Sequence, residues 1–177
     1  PLALRRTGML LVQSYSADMT AMMNAFSSMG VDVLDVVPDD AVVVRVDPLS
    51  DTGVVEAINR LPSVRWTGEL PVAWRVASEL ISLSGRTGML VDLDVTPAPD
   101  LNLDELAELS LDLQLVSGEV GPRGICDAYL CQPRSVDAAW IPILAMDGRI
   151  LHIGAASQIT IHNANARSIS GISETLI

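Results

Sequence analysis

The sequence predicts an α+β fold built from two tandem βαββαβ units with antiparallel sheets. Two observations predict it. The stretch Arg6-Thr7-Gly8-Met9-Leu10 occurs a second time as Arg86-Thr87-Gly88-Met89-Leu90. After each copy the same order of patterns follows: a helix-like segment, two strand-like runs, a Pro at a strand end, a short helix-like segment and a last strand. A split βαβ order of this kind closes as a four-stranded sheet with both helices on one face, the ferredoxin-like arrangement. The units are expected over residues 1–84 and 85–162, with 163–177 as a linker.

In the first unit, Gly8 to Gln13 is an apolar run ended by Ser14-Tyr15-Ser16, a strand followed by hydroxyl residues able to cap a helix. From Asp18 to Met29 the apolar residues Met19, Met22, Met23, Phe26 and Met29 fall at helical spacing, and Gly30 stands where a C-terminal cap belongs. A run of Met can serve as an adaptable binding face, but at this spacing core is the simpler reading. Val31 to Val37 and Ala41 to Val46 form a hairpin around Pro38-Asp39-Asp40. Pro48 ends it, Ser50 or Asp51 caps a helix carrying Val54, Val55, Ile58 and Leu61, and Pro62-Ser63 stops that helix before the strand at Val64-Arg65-Trp66. Residues 70–84 read as a connection, either extended or weakly helical.

The second unit repeats the order with insertions. Gly88 to Val95 is a strand, and a helix runs from about Asn102 to Leu113 with Leu103, Leu106, Leu109, Leu111 and Leu113 as its apolar set. Leu115 to Val120 and Ile125 to Cys131 form the second hairpin. Pro133-Arg134-Ser135 matches Pro48-Leu49-Ser50, and Ile150 to Gly154 matches Val64 to Gly68, so the offset grows from 80 at the opening to 86 at the end. Pro142 is tolerated only in a first helical turn, which places the last helix start near Trp140 or Ile141.

Composition narrows the function classes. Hydrophobic residues make up 49% and mean hydropathy is +0.37, so the chain folds around a core, and with one Phe, two Tyr and three Trp that core is aliphatic. Eleven basic against twenty-two acidic residues leave a net charge of -11, which repels phosphate backbones and makes nucleic acid an unsuitable partner. No apolar run approaches the roughly 18 residues of a membrane span. Pro1 is no initiator, so the chain is expected to be a fragment or processed product.

No residue is assigned a catalytic, cofactor-binding or metal-binding role. Asp51-Thr52-Gly53 matches the short signature around the catalytic Asp of subtilisin-like and retroviral-type proteases, but it precedes a helical pattern rather than ending a buried strand, where capping is the ordinary work of Asp. His152 takes the place of Trp66 on a strand, and His162 has no partner at a recognisable spacing. The acid pairs Asp39-Asp40 and Asp104-Glu105 fall in a turn and a helix first turn, both solvated places. Cys126 and Cys131 lie five apart on one expected strand, about 16 Å between Cα atoms at ~3.3 Å per residue, too far for a disulfide. If they are bridged, the segment is a loop.

From Val43-Val44-Arg45-Val46 through Leu61-Pro62-Ser63-Val64-Arg65-Trp66 the pattern resembles the propeptide of subtilisin-like serine proteases. Leu144 to Ile153 is a looser second match, and Ile161 to Arg167 resembles the connection into the protease domain in prokaryotic relatives with tandem propeptide repeats. The acidic residue that often follows the aromatic of the last strand is replaced by Gly68 and Gly154. The resemblance implies a secreted pro-region, chaperone and transient inhibitor of a protease domain lying beyond Ile177, with exposed sheet faces and the segment after Ala155 as contact surfaces. The alternative is a tandem ferredoxin-like regulatory module binding a small ligand between its units.

Overall fold

The computed structural model describes residues 8–15, 19–46, 52–118, 126 and 129–156. Asp51, His162 and the expected linker over 163–177 lie outside them. The chain is α+β with antiparallel sheets. The first half runs β1 (Met9–Ser14), α1 (Met19–Met29), β2 (Asp32–Val37), β3 (Ala41–Arg45), α2 (Thr52–Asn59) and β4 (Val64–Glu69). Its strands form one four-stranded sheet in the order β2-β3-β1-β4, every neighbour antiparallel.

Local chemistry fixes these elements. Helix α1 ends in a Schellman motif: Gly30 sits at φ +69, the Val31 amide donates to Phe26 C=O at 3.0 Å and the Gly30 amide to Ser27 C=O at 3.2 Å. The β2–β3 turn holds Asp39 and Asp40 at φ 65 and 55, a left-handed backbone that a short polar side chain tolerates better than a branched one. Met22 and Phe26 of α1 and Ile58 of α2 bury against Val12, Val42, Val44 and Val64, so both helices cover one sheet face.

A connection follows, a 3-10 turn at Val72–Arg75 and a short helix α3 (Ser78–Ile81), which settles the segment left open as weakly helical. The second half contains β5 (Leu90–Val91), β6 (Leu93–Pro97), α4 (Leu103–Val116), β7 (Val136–Asp137), a 3-10 turn at Ala138–Trp140, α5 (Ile141–Ala145) and β8 (Ile150–Ala155). Pro142 falls in the first turn of α5, as its missing N–H requires. β6 pairs with β8, and on its other side Val95 and Cys131 exchange both backbone hydrogen bonds, at 2.8 and 2.7 Å. β6 is therefore flanked antiparallel on both sides, as β1 is.

Several expectations are corrected. The expected strand Leu115–Val120 begins inside α4, where Leu115 and Val116 are helical; residues 119–120 lie outside the described part. Of the expected leucine set, Leu109 and Leu113 are buried, with Val116 one turn on, while Leu103 and Leu111 face solvent. Cys126 and Cys131 are disulfide-bonded with Cα atoms 3.9 Å apart and pair with each other in an antiparallel bridge, so they do not lie along one strand as expected for Ile125–Cys131.

The five-residue repeat is also out of step with the pairing. Leu10 faces Glu69 and Leu93 faces Ala155, so at the closing-strand offset of 86 the opening strands correspond at 83, three residues beyond the sequence match. Asp92 stands alone between β5 and β6. There its carboxylate accepts the Ser135 amide at 2.9 Å and pairs with Arg134 at 3.2 Å, holding Ser135 at φ 53.

Candidate functional site: a cleft between the two halves

Strand alternation sends Leu10 and Val12 toward the helices and Met9, Leu11 and Gln13 to the opposite face of the first sheet. That face is not left bare. Met9, Leu11, Leu34, Ala41 and Val43 form a buried cluster with Ala98 of the second half, and Leu101 and Leu151 pack on it. Arg45 on β3 reaches across as well, forking onto the Asp100 carboxylate and donating to Gly148 C=O at 2.9 Å. The sheet face expected to be exposed is thus largely an internal contact.

Where the cover stops, a half-open cleft of about 630 Å³ remains. Leu11, Ala41 and Val43 belong to its sheet side, Leu151 and His152 come from β8, and Trp74 and Arg75 come from the connection. Trp66 supplies a further wall: its ring lies over Gly68, so that a Cβ there would overlap Cη2 and Cζ2. His152 stands likewise near Gly154, with Cε1 3.8 Å from where a Cβ would be. Gly68 thus makes room for the ring two residues before it, whereas a Cβ at Gly154 would be in ordinary contact with His152.

Arg75 is the unusual group of this cleft. It is only 6% exposed, its Nη2 donates to the carbonyls of Asp147 and Ile150, and its buried Nε has no acceptor. Burial lowers its pKa from the ordinary arginine value to about 10; the Asp147 charge works against this and the Arg45 charge adds to it. The other buried arginine chemistry is neutralised. Arg45 has Asp100, and Arg149 has Asp147 and Asp112, each at 2.6 Å. Burial opposes the Arg149 charge, but hydrogen bonds and charges from Asp147 and then Asp112 outweigh it and raise its pKa.

Among the sequence candidates, Asp39 and His152 come to this cleft, with Asp35 and Gln13 beside them. Asp40 stays in its turn, Glu105 closes a capping box with Asn102 at 3.0 and 3.1 Å, and Asp104 shares that first turn. Sequence reasoning missed Trp74 and Arg75, which lie in the stretch left undecided; their adjacency in a connection was the available signal. Among the described residues no group of three or more His, Cys, Asp or Glu is placed to hold a metal ion, and no helix is long and apolar enough to cross a membrane. Comparison with known proteins finds no matching family model, curated protein or solved structure.

Proposed function

We propose that the chain is the pro-region of a secreted subtilisin-like serine endopeptidase, built from tandem ferredoxin-like units and acting as intramolecular chaperone and transient inhibitor, with no peptidase activity of its own. The observation that carries this reading is the first half's β1-α1-β2-β3-α2-β4 order closing as β2-β3-β1-β4 with both helices on one face, over the residues that bear the resemblance. The flanking of β6 on both sides supports a second unit of the same plan. The Cys126–Cys131 disulfide suits an oxidising compartment. Because the outer face of the first sheet is largely covered within the chain, the protease domain would meet the free rim around Trp66 and Trp74 rather than a bare sheet. The test is inhibition of the protease domain encoded downstream. The chain is expected to inhibit it, and a version ending at Asn163 is expected to inhibit more weakly, since a sheet contact and a tail contact are tethered. Absence of inhibition by either form sinks the reading.

A second reading, a regulatory module binding a small ligand between its units, is favoured by the cleft itself. Its volume is that of a small-molecule site, and both halves line it.

A further inference from the structure

The cleft holds a buried cation whose hydrogen-bond acceptors are backbone carbonyls and not a carboxylate. Arg75 is buried, its Nε has no hydrogen-bond acceptor, and Nη2 is spent on two neutral carbonyls. A buried guanidinium is costly unless its N–H groups are satisfied and its charge is met. Asp147 is too committed to serve: its carboxylate makes bonds of 3.1, 3.2 and 2.6 Å to the Arg149 side chain. The rim carboxylates Asp35 and Asp39 also line the cleft, but the hydrogen bonds of Arg75 go to the carbonyls of Asp147 and Ile150 and to neither of them. Asp35 caps its own neighbour, accepting the Val36 amide at 2.8 Å.

The rest of the lining is apolar and aromatic. Leu11, Val43 and Leu151 offer aliphatic surface, and Trp66 and Trp74 stand 49% and 66% exposed. Exposed indoles at the mouth of an apolar cleft gain by covering a ligand's hydrocarbon. We infer that this cleft binds a small apolar monocarboxylate, its hydrocarbon body between Trp66, Trp74 and the aliphatic wall and its carboxylate on Arg75. A carboxylate supplies what the guanidinium lacks, two acceptor oxygens and a negative charge. The inference deepens the ligand-binding reading and does not depend on the protease one.

The test uses the whole chain and decanoate below its micelle concentration, followed by tryptophan fluorescence and calorimetry, with decan-1-ol as the uncharged probe of equal length. One saturable decanoate site is expected, with decan-1-ol at least tenfold weaker. Trp74→Ala removes an exposed ring and is expected to keep the melting temperature while weakening decanoate about tenfold. Arg75→Gln, if its circular dichroism stays native, is expected to bring decanoate down to the alcohol's affinity. Equal binding of acid and alcohol would overturn the carboxylate assignment while leaving a ligand cleft standing. No saturable binding of either, or an unchanged Trp74→Ala affinity, would overturn the site altogether.

Discussion

The ring of Trp66 lies across Gly68, two residues further along β4, on the sheet face away from the helices. A Cβ at residue 68 would meet Cη2 and Cζ2, the far end of the indole, which is free to swing toward solvent. Gly68→Ala is therefore expected to displace the ring rather than unfold the sheet, with a stability change under about 1 kcal/mol. With Trp74 and Trp140 replaced by Phe, the Trp66 emission should shift to the red in Gly68→Ala. An unshifted spectrum contradicts the packing.

The disulfide closes a short loop, with a sequence separation of five. Loop-closure entropy for so few residues predicts a stabilisation of about 2 kcal/mol. Cys126→Ser should lose that amount in urea unfolding, and adding reductant to the parent chain should reproduce it. Cys131 is fully buried against β6, so Cys131→Ser is expected to cost more than Cys126→Ser.

Asp137 gives the fold a local acid sensitivity. Its carboxylate accepts the Ala139 amide at 2.9 Å and the Gly88 amide at 2.8 Å, and these two bonds hold its pKa below the usual 3.8. A depressed carboxylate stabilises the fold above its unfolded pKa, and the contribution is lost as pH falls through the lower folded value. Amide resonances of Gly88 and Ala139 should therefore move together below about pH 4, and Asp137→Asn should abolish that movement.

The first unit was legible because each of its boundaries carries local chemistry: Gly30 for the helix end, Pro38-Asp39-Asp40 for the turn, Pro62-Ser63 for the helix stop. What was misread is which faces are covered. Ala41, Val42, Val43 and Val44 are all buried. Such an unbroken apolar run marks a strand covered on both faces, and the expectation of an exposed sheet face overlooked it. The three-residue difference between the repeat and the pairing was invisible because Thr87-Gly88-Met89-Leu90 copies the earlier residues in identity, while Met89 is 40% exposed and Met9 only 6%. Identity survived there without the packing that it serves in β1. The cleft was hidden for a related reason: its parts come from both halves and from a connection with no clear period.

Covering of that sheet face predicts how the halves behave apart. A chain limited to residues 1–84 would uncover Met9, Leu11, Leu34 and Val43, which in the whole chain are 6%, 7%, 6% and 2% exposed. The fragment is expected to bind a hydrophobic dye and to self-associate, whereas the full chain should do neither strongly. A monomeric, dye-free fragment would show that the contact with Ala98, Leu101 and Leu151 contributes little.

Arg149 is expected to be the polar group on which the second half depends most. Its side chain is 2% exposed, as against 1% for Asp147 and 25% for Asp112, and the Asp147 carboxylate also accepts the Arg149 amide at 2.9 Å. Removing one partner of a buried ion pair leaves the other uncompensated, a loss of about 3–5 kcal/mol, while a more exposed partner matters less. Asp147→Asn should thus destabilise the chain by about 3 kcal/mol and Asp112→Asn by about 1 kcal/mol. Because both carboxylates serve one guanidinium, the double substitution should depart from the sum of the singles. Urea unfolding of the four proteins measures this. Equal losses from the two single substitutions, or strict additivity, would show that Arg149 is not the shared centre the geometry makes it.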